Sequence, residues 1–298
     1  MKTLSLPGLR NMARASIGII GGSGLYEMPE LVNVEEVVVT TPFGSPSDSL
    51  FVGELEGISV AFLARHGRGH QLNPSEIPSK ANIFALKAVG VRQLISISAV
   101  GSLQEKIHPK DLVIPDQLVD RTHGRPSTFF ENGVVAHISF AEPFCPVMRP
   151  LLVEELSKNG SAVHDGGTYV VIEGPSFSTI AESKIYRSWD ASVIGMTALP
   201  EAKLAREAEI CYTTLACVTD YDVWRETHGS VTVDMVLANL QDNIAVAQKL
   251  IRQLVTQLPS RRECPCATAT GNAVVTSPEV MTQAAKDYLE LISGNRVN

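Results

Sequence analysis

The sequence predicts an α/β fold, a β-sheet covered by helices on both faces. Short runs of β-branched and aliphatic residues alternate with helical patterns along most of the chain. Those runs stop abruptly at glycine, proline or polar residues, as buried strands do. With 44% hydrophobic and 19% charged residues over 298 positions, the chain can bury a sizeable core. A disordered chain needs lower hydrophobicity and higher charge.

The first strand is read at Ser16-Ile17-Gly18-Ile19-Ile20, ending in Gly21-Gly22-Ser23-Gly24. Further strands are expected at residues 58–63, 94–98, 111–115, 168–172, 192–196 and 211–216. Helices are expected at 78–89, 148–158, 178–189 and 200–209, with Ser176 or Ser178 as a cap for the third. The best helix runs from Val233 to about Leu258. There Val236, Leu240, Ile244, Ala247, Ile251 and Leu254 form one apolar stripe, and Thr232 stands at the N-cap. A last helix is expected after Ser277, with Pro278 in its first position and Met281, Ala285, Tyr288 and Ile292 on one face. No internal repeat or low-complexity linker interrupts this order. One domain over 16–298 follows, with 1–15 as a lead and 259–298 as a C-terminal segment.

Lys+Arg 25 against Asp+Glu 32 leaves a net charge of −7, so nucleic acid is not an expected partner. No apolar run approaches the roughly 18 residues of a membrane span. The first sixteen residues lack the apolar core of a signal peptide, and five cysteines form no secreted framework. These features together predict a cytoplasmic protein.

In open α/β sheets ligands bind at the carboxyl ends of strands. That rule gathers Ser23, Arg65, His66, Ser98, Ala99, Thr197, Asp220 and Asp222 into one candidate cluster. Gly21-Gly22-Ser23-Gly24 can present N–H groups to an anion, but it matches neither the dinucleotide nor the P-loop pattern, and a plain tight turn explains it equally. Arg65-His66-Gly67-Arg68-Gly69-His70 offers guanidinium forks to phosphate. A solvated basic loop is its competing explanation, and its glycines argue against a helical metal pair at His66 and His70. Asp220 and Asp222 can serve as acid and base, hold a metal, or cap a turn. Phe177 can stack on a planar ligand or simply pack. Cys264-Pro265-Cys266 is not a zinc spacing and supplies two of four ligands; a disulfide between such neighbours is strained.

Several ordered motifs then carry a resemblance. They include Gly21-Gly22-Ser23-Gly24-Leu25-Tyr26, Thr41-Pro42-Phe43-Gly44, Ala64-Arg65-His66-Gly67-Arg68, Ile172-Glu173-Gly174-Pro175, Met196-Thr197, Pro200-Glu201 and Ala216 to Asp222. Over residues 16 to 258 the chain resembles the methylthioadenosine phosphorylase branch of the trimeric purine nucleoside phosphorylases. The resemblance implies a single-domain fold of that type, a mixed central sheet flanked by helices. It implies phosphorolysis of 5′-methylthioadenosine to adenine and 5-methylthioribose 1-phosphate. Ser23, Arg65, His66, Ser98, Ala99 and Thr197 match the family's phosphate contacts, Ser23 and Ser98 replacing the usual threonines. Met196 matches the ribose contact, and Phe177 and Ser178 the base pocket. Asp220 matches the group at purine N7, with Asp222 toward the amino side. Val231, Val233 and Val236 lie where the family's 5′ pocket sits. The resemblance further implies a homotrimer, or a dimer of such trimers, in which His137 reaches the neighbour's 5′ region. It implies no metal or organic cofactor, inorganic phosphate being a co-substrate. The alternatives are a phosphorylase of 6-oxopurine nucleosides or methylthioinosine, and a nucleoside-binding protein without turnover.

Overall fold

The computed structural model describes residues 2–4, 14–22, 25, 27–131, 133–225 and 233–293; for 2–4, 233–243 and 288 it describes the backbone alone. Its strands are β1 (Lys2–Leu4), β2 (Ile17–Gly21), β3 (Val32–Val39), β4 (Leu50–Leu55), β5 (Ile58–Ala64), β6 (Gln93–Ser102), β7 (Leu112–Ile114), β8 (Gln117–Arg121), β9 (Val163–Asp165), β10 (Thr168–Ile172), β11 (Val193–Gly195) and β12 (Cys211–Asp220). The α-helices are α1 (Ser79–Ala88), α2 (Met148–Lys158), α3 (Ile180–Ser188), α4 (Ala198–Glu207), α5 (Val233–Leu254) and α6 (Gln283–Ser293).

All twelve strands join one mixed sheet. Its axis is β6, which runs parallel to β2 on one side and to β12 on the other. Past the end of β2, β6 continues along antiparallel β11, which leads on to β10 and β8. Beyond β2 lie parallel β5 and then the antiparallel hairpin partners β4 and β3. The core has two halves, one on each face. Phe84 and Leu86 of α1 pack with Leu204 and Ala205 of α4 on one face; Leu152 of α2 packs with Leu250, Ile251 and Leu254 of α5 on the other. Both faces of β6 and β12 are therefore covered, and their residues are buried along almost the whole of each strand.

The sequence reading and the structure differ in identifiable places. The hairpin β3–β4 escaped notice because β3 carries Glu35 and Glu36 and is exposed over its first half. The strands β8 and β9 are short and half-exposed, so their apolar signal is weak. The helix expected from Ser277 begins at Gln283; Pro278 opens a 3₁₀ turn ending at Val280. The cap of α3 is Thr179, not Ser176 or Ser178. Its hydroxyl accepts the Glu182 N–H while the Glu182 carboxylate accepts the Thr179 N–H, a complete capping box. The proposed cap Thr232 lies outside the described residues, as does the side chain of Tyr288.

Candidate active site

Since β2, β5, β6 and β12 run parallel, their carboxyl ends meet at one edge of the sheet. A cavity of about 300 Å³ opens there, at the small end of the range for small-molecule sites. Arg65, His66, Ser98, Ala99, Phe177, Ser178, Met196, Thr197, Asp220 and Asp222 all contribute to its wall. The structure thus brings together most of the predicted cluster from five separate segments.

One end of the cavity is built from hydroxyls, one buried guanidinium and an imidazole. Ser98 on β6 and Thr197 ahead of α4 share a hydrogen bond, Oγ to Oγ1 at 2.9 Å. Thr197 occupies the N-cap position of α4 without a side-chain cap bond, so its hydroxyl is turned to Ser98. The Arg65 side chain is only 2% exposed. Its Nε and Nη2 grip the two carboxylate oxygens of Glu201, Nη2 also donates to Ser96 Oγ at 2.7 Å, and Nη1 donates to the Ile97 carbonyl at 2.9 Å. Burial opposes the Arg65 charge, but Glu201 outweighs it and holds the guanidinium above its ordinary pKa. The fork expected to face an anion is therefore closed on Glu201, and Nη1 carries the hydrogen left for a ligand. His66 Nδ1 donates to the Leu72 carbonyl at 2.8 Å, which leaves a lone pair on Nε2. Burial, then the Arg65 charge, pushes His66 down to about 4, so it is neutral near pH 7. His66 and His70 stack at 4.1 Å between ring centroids.

The other end holds two buried carboxyls. Asp220 pairs with Gly101 across β12 and β6, three residues beyond Ser98, about 10 Å along the strand. Asp220 Oδ2 accepts from Thr219 Oγ1 at 2.7 Å and Oδ1 from the Asp222 N–H at 2.8 Å. Burial raises the Asp220 pKa and drives Asp222 to about 6. Gly101 is required by this arrangement: a Cβ there would stand 2.9 Å from Asp220 Oδ1. Among the described residues, Asp222 Oδ2 and Ser178 Oγ are buried without a hydrogen-bond partner. Two orphaned polar atoms on the wall of one cavity are groups that a polar ligand can satisfy. Phe177 is half-exposed beside Ser178. Met196 packs beneath Gly174, where a Cβ would meet Met196 Sδ at 2.5 Å.

Some predicted residues are not brought into this wall. His137 is exposed, its N–H bonded to the Ala273 carbonyl at 2.9 Å, and it does not line the cavity of its own chain. Ser23, Val231 and the side chains of Val233 and Val236 lie outside the described residues; from α5, Ile244 reaches the wall. Three functional neighbours went unrecognised in the sequence. Glu201 holds Arg65, Thr219 holds Asp220, and Arg125 donates to the Met196 and Leu199 carbonyls at 2.7 and 2.9 Å, fixing the segment that carries Thr197. Glu201 had a signal, an acid in an otherwise apolar helical turn; Arg125 had none.

Comparison with known proteins matches residues 16–256 to the phosphorylase superfamily. The S-methyl-5′-thioadenosine phosphorylase of Chloroflexus aurantiacus is 56% identical over 284 residues, covering 95% of this chain and 99% of its own. That of Synechocystis is 57% identical over 287 residues, covering 95% and 88%. Among solved structures, a methylthioadenosine phosphorylase from an Antarctic soil metagenomic library superposes with a TM-score of 0.89 at 50% identity, over 94% of this chain and 99% of that one. A mutant adenosine/methylthioadenosine phosphorylase of Schistosoma mansoni, in complex with methylthioadenosine, gives 0.77 at 34% identity, over 83% and 93%.

Proposed function

The chain belongs to the phosphorylase superfamily, and from that membership and the cavity we propose that it cleaves 5′-methylthioadenosine with phosphate, giving adenine and 5-methylthioribose 1-phosphate. The observation that carries the reading is the pairing of two unlike ends in one cavity. Hydroxyls and an Arg–His pair stand at one end, and buried carboxyls with raised pKa values stand about 10 Å away. An anion and a leaving base need those two environments.

Phosphate sits against Ser98 and Thr197, with Ala99, Ser23 and the second Nη1 hydrogen of Arg65 as further contacts. Neutral His66 accepts through Nε2 from a protonated phosphate oxygen. A phosphate oxygen attacks C1′ as the bond to purine N9 breaks, and the bonding pair leaves with the base. The sugar passes through an oxocarbenium-like state, which the adjacent anion stabilises. Asp220 supplies the proton or hydrogen bond at N7, and its burial favours the protonated carboxyl over the carboxylate. Asp222 accepts from the 6-amino group. Phe177 and Ser178 hold the base, and Met196 packs on the ribose. Nucleophile and proton both come from these groups and the co-substrate, so the reaction calls on no organic cofactor or metal.

The 5′ pocket is assigned to Val231, Val233 and Val236, with Ile244 continuing the apolar wall, and to His137 of a neighbouring chain in a homotrimer. The exposure of His137 away from its own cavity supports that assembly. One domain over 16–298 and a cytoplasmic location complete the reading; five free thiols suit a reducing compartment. The test is purine release from methylthioadenosine, adenosine, methylthioinosine and inosine, each with and without phosphate. Phosphate-dependent release with methylthioadenosine preferred is expected. Release without phosphate, or preference for a 6-oxopurine, overturns the assignment.

A further inference from the structure

At the amino-terminal ends of the strands, away from the cavity, four cysteines from three distant segments converge. Cys211 opens β12, Cys145 lies just before α2, and Cys264 and Cys266 flank the first residue of a 3₁₀ turn in the C-terminal segment. Their four sulfurs all lie within 4.8 Å of one another, with Cys211 Sγ 3.3 Å from Cys264 Sγ. All four side chains are buried, and none is in a disulfide. Nine residue steps along β12 separate Cys211 from Asp220, about 30 Å at strand rise, so the cluster lies outside the candidate active site.

A single buried thiol is ordinary core packing. Four sulfurs around one point are the ligand set of a closed metal site. A zinc–sulfur bond of about 2.3 Å gives a tetrahedron whose sulfurs stand about 3.8 Å apart, and a group within 4.8 Å reaches it by small side-chain adjustments. The segment bearing Cys145 is anchored independently, by Cys145 N–H to the Tyr212 carbonyl at 2.8 Å and Arg206 Nη2 to the Glu142 carbonyl at 2.6 Å. With no carboxylate, imidazole or open position in the set, the donors are uniformly soft, which favours zinc over magnesium, calcium or manganese.

We propose that Cys145, Cys211, Cys264 and Cys266 bind one structural zinc ion, fastening the C-terminal segment and the loop before α2 to the start of β12. The Cys-Pro-Cys pair, two ligands in sequence, becomes half of a four-ligand site through the fold. Binding releases the protons still held by the thiols, so affinity rises with pH.

The test uses the full-length protein without a metal-binding tag, prepared under reductant with zinc supplied and dialysed to remove loose ions. Elemental analysis should find about one zinc per chain. A mercurial reagent should release that zinc. Stripping zinc should lower Tm by about 5–10 °C, restored by adding zinc back. The double variant Cys264→Ser/Cys266→Ser should retain less than about a tenth of the wild-type zinc while still turning over substrate. If that variant does not fold, the wild-type stoichiometry and the zinc-dependent Tm decide the matter alone. Fewer than about 0.1 zinc per chain, an equivalent of iron instead, zinc retained by the double variant, or disulfides among these four cysteines in zinc-replete protein would each overturn the site.

Discussion

Asp220 is where residue chemistry and specificity meet. An Asn at that position keeps the size and can still accept from Thr219, but it cannot carry the transferable proton. Asp220→Asn should lower kcat/KM for methylthioadenosine by about two decades or more, and raise the relative rate on 6-oxopurine nucleosides, to which an amide can donate. A wild-type ratio between amino and oxo substrates would make Asp220 structural and move the acid to Asp222. Arg65 carries two burdens. Arg65→Ala should sharply raise the KM for phosphate with a smaller change for nucleoside. It also strands Glu201, 1% exposed, as an unpaired buried carboxylate, at a cost of about 3–5 kcal/mol. Kinetics and urea denaturation separate the two effects; an unchanged phosphate KM removes Arg65 from the phosphate site. Asp222 offers a pH test. Its folded pKa of about 6 stands above its ordinary 3.8, so between those values the folded chain holds a proton that the unfolded chain has lost. Stability from this group therefore falls as pH rises through that window. Asp222→Asn removes the charge, and its stability relative to wild type should improve by about 2–3 kcal/mol between pH 3.5 and pH 7.5. A pH-independent difference between variant and wild type would refute that. His66, at about 4 against an ordinary 6.5, acts in the opposite sense and gains stability as pH rises between those values.

At the scale of elements, the site depends on how closely β6 and β12 approach. Gly101 has no positive φ, so alanine there meets no backbone penalty; its Cβ meets Asp220 Oδ1 at 2.9 Å and Asp222 Cβ at 3.3 Å. Gly101→Ala should displace the carboxyls and lower kcat/KM by about one to two decades, while overpacking costs about 1–3 kcal/mol of stability. Wild-type kinetics from a folded variant would show that the carboxyls tolerate movement. The capping box at Thr179 has a related role, fixing the start of α3 directly after Phe177 and Ser178. The helices α1 and α4 on one face and α2 and α5 on the other hold the sheet ends in place. That is why predicted residues from five separate segments can share one small cavity.

For the whole molecule, the two ends of the sheet divide the work. The carboxyl ends carry the candidate active site, and the amino-terminal ends carry the cysteine cluster proposed to fasten the C-terminal segment. The assembly is tested at this scale too. Sedimentation or light scattering should report the mass of three chains, or of six if two trimers associate. On the proposed assignment of the exposed His137 ring to the neighbour's site, His137→Ala should raise KM for methylthioadenosine severalfold with assembly intact. An unchanged KM in an intact trimer removes His137 from that role.

Strand ends and motif order made the α/β class and most of the cavity wall legible in the sequence. Residues such as Arg65, Ser98, Thr197 and Asp220 stand where an apolar run stops, and that boundary is a local, one-dimensional signal. The long helix was legible for the same reason, since its stripe repeats with the period of the helix. Tertiary structure alone decided who meets whom. It closed the Arg65 fork on Glu201, 136 positions away, set Arg125 beneath Met196, and left His137 facing outward. It also joined Cys145 and Cys211 to a pair that by itself lacked half a ligand set. Such pairings are made by sheet order and helix packing, and a chain's local periodicity carries no record of which distant segment folds against it.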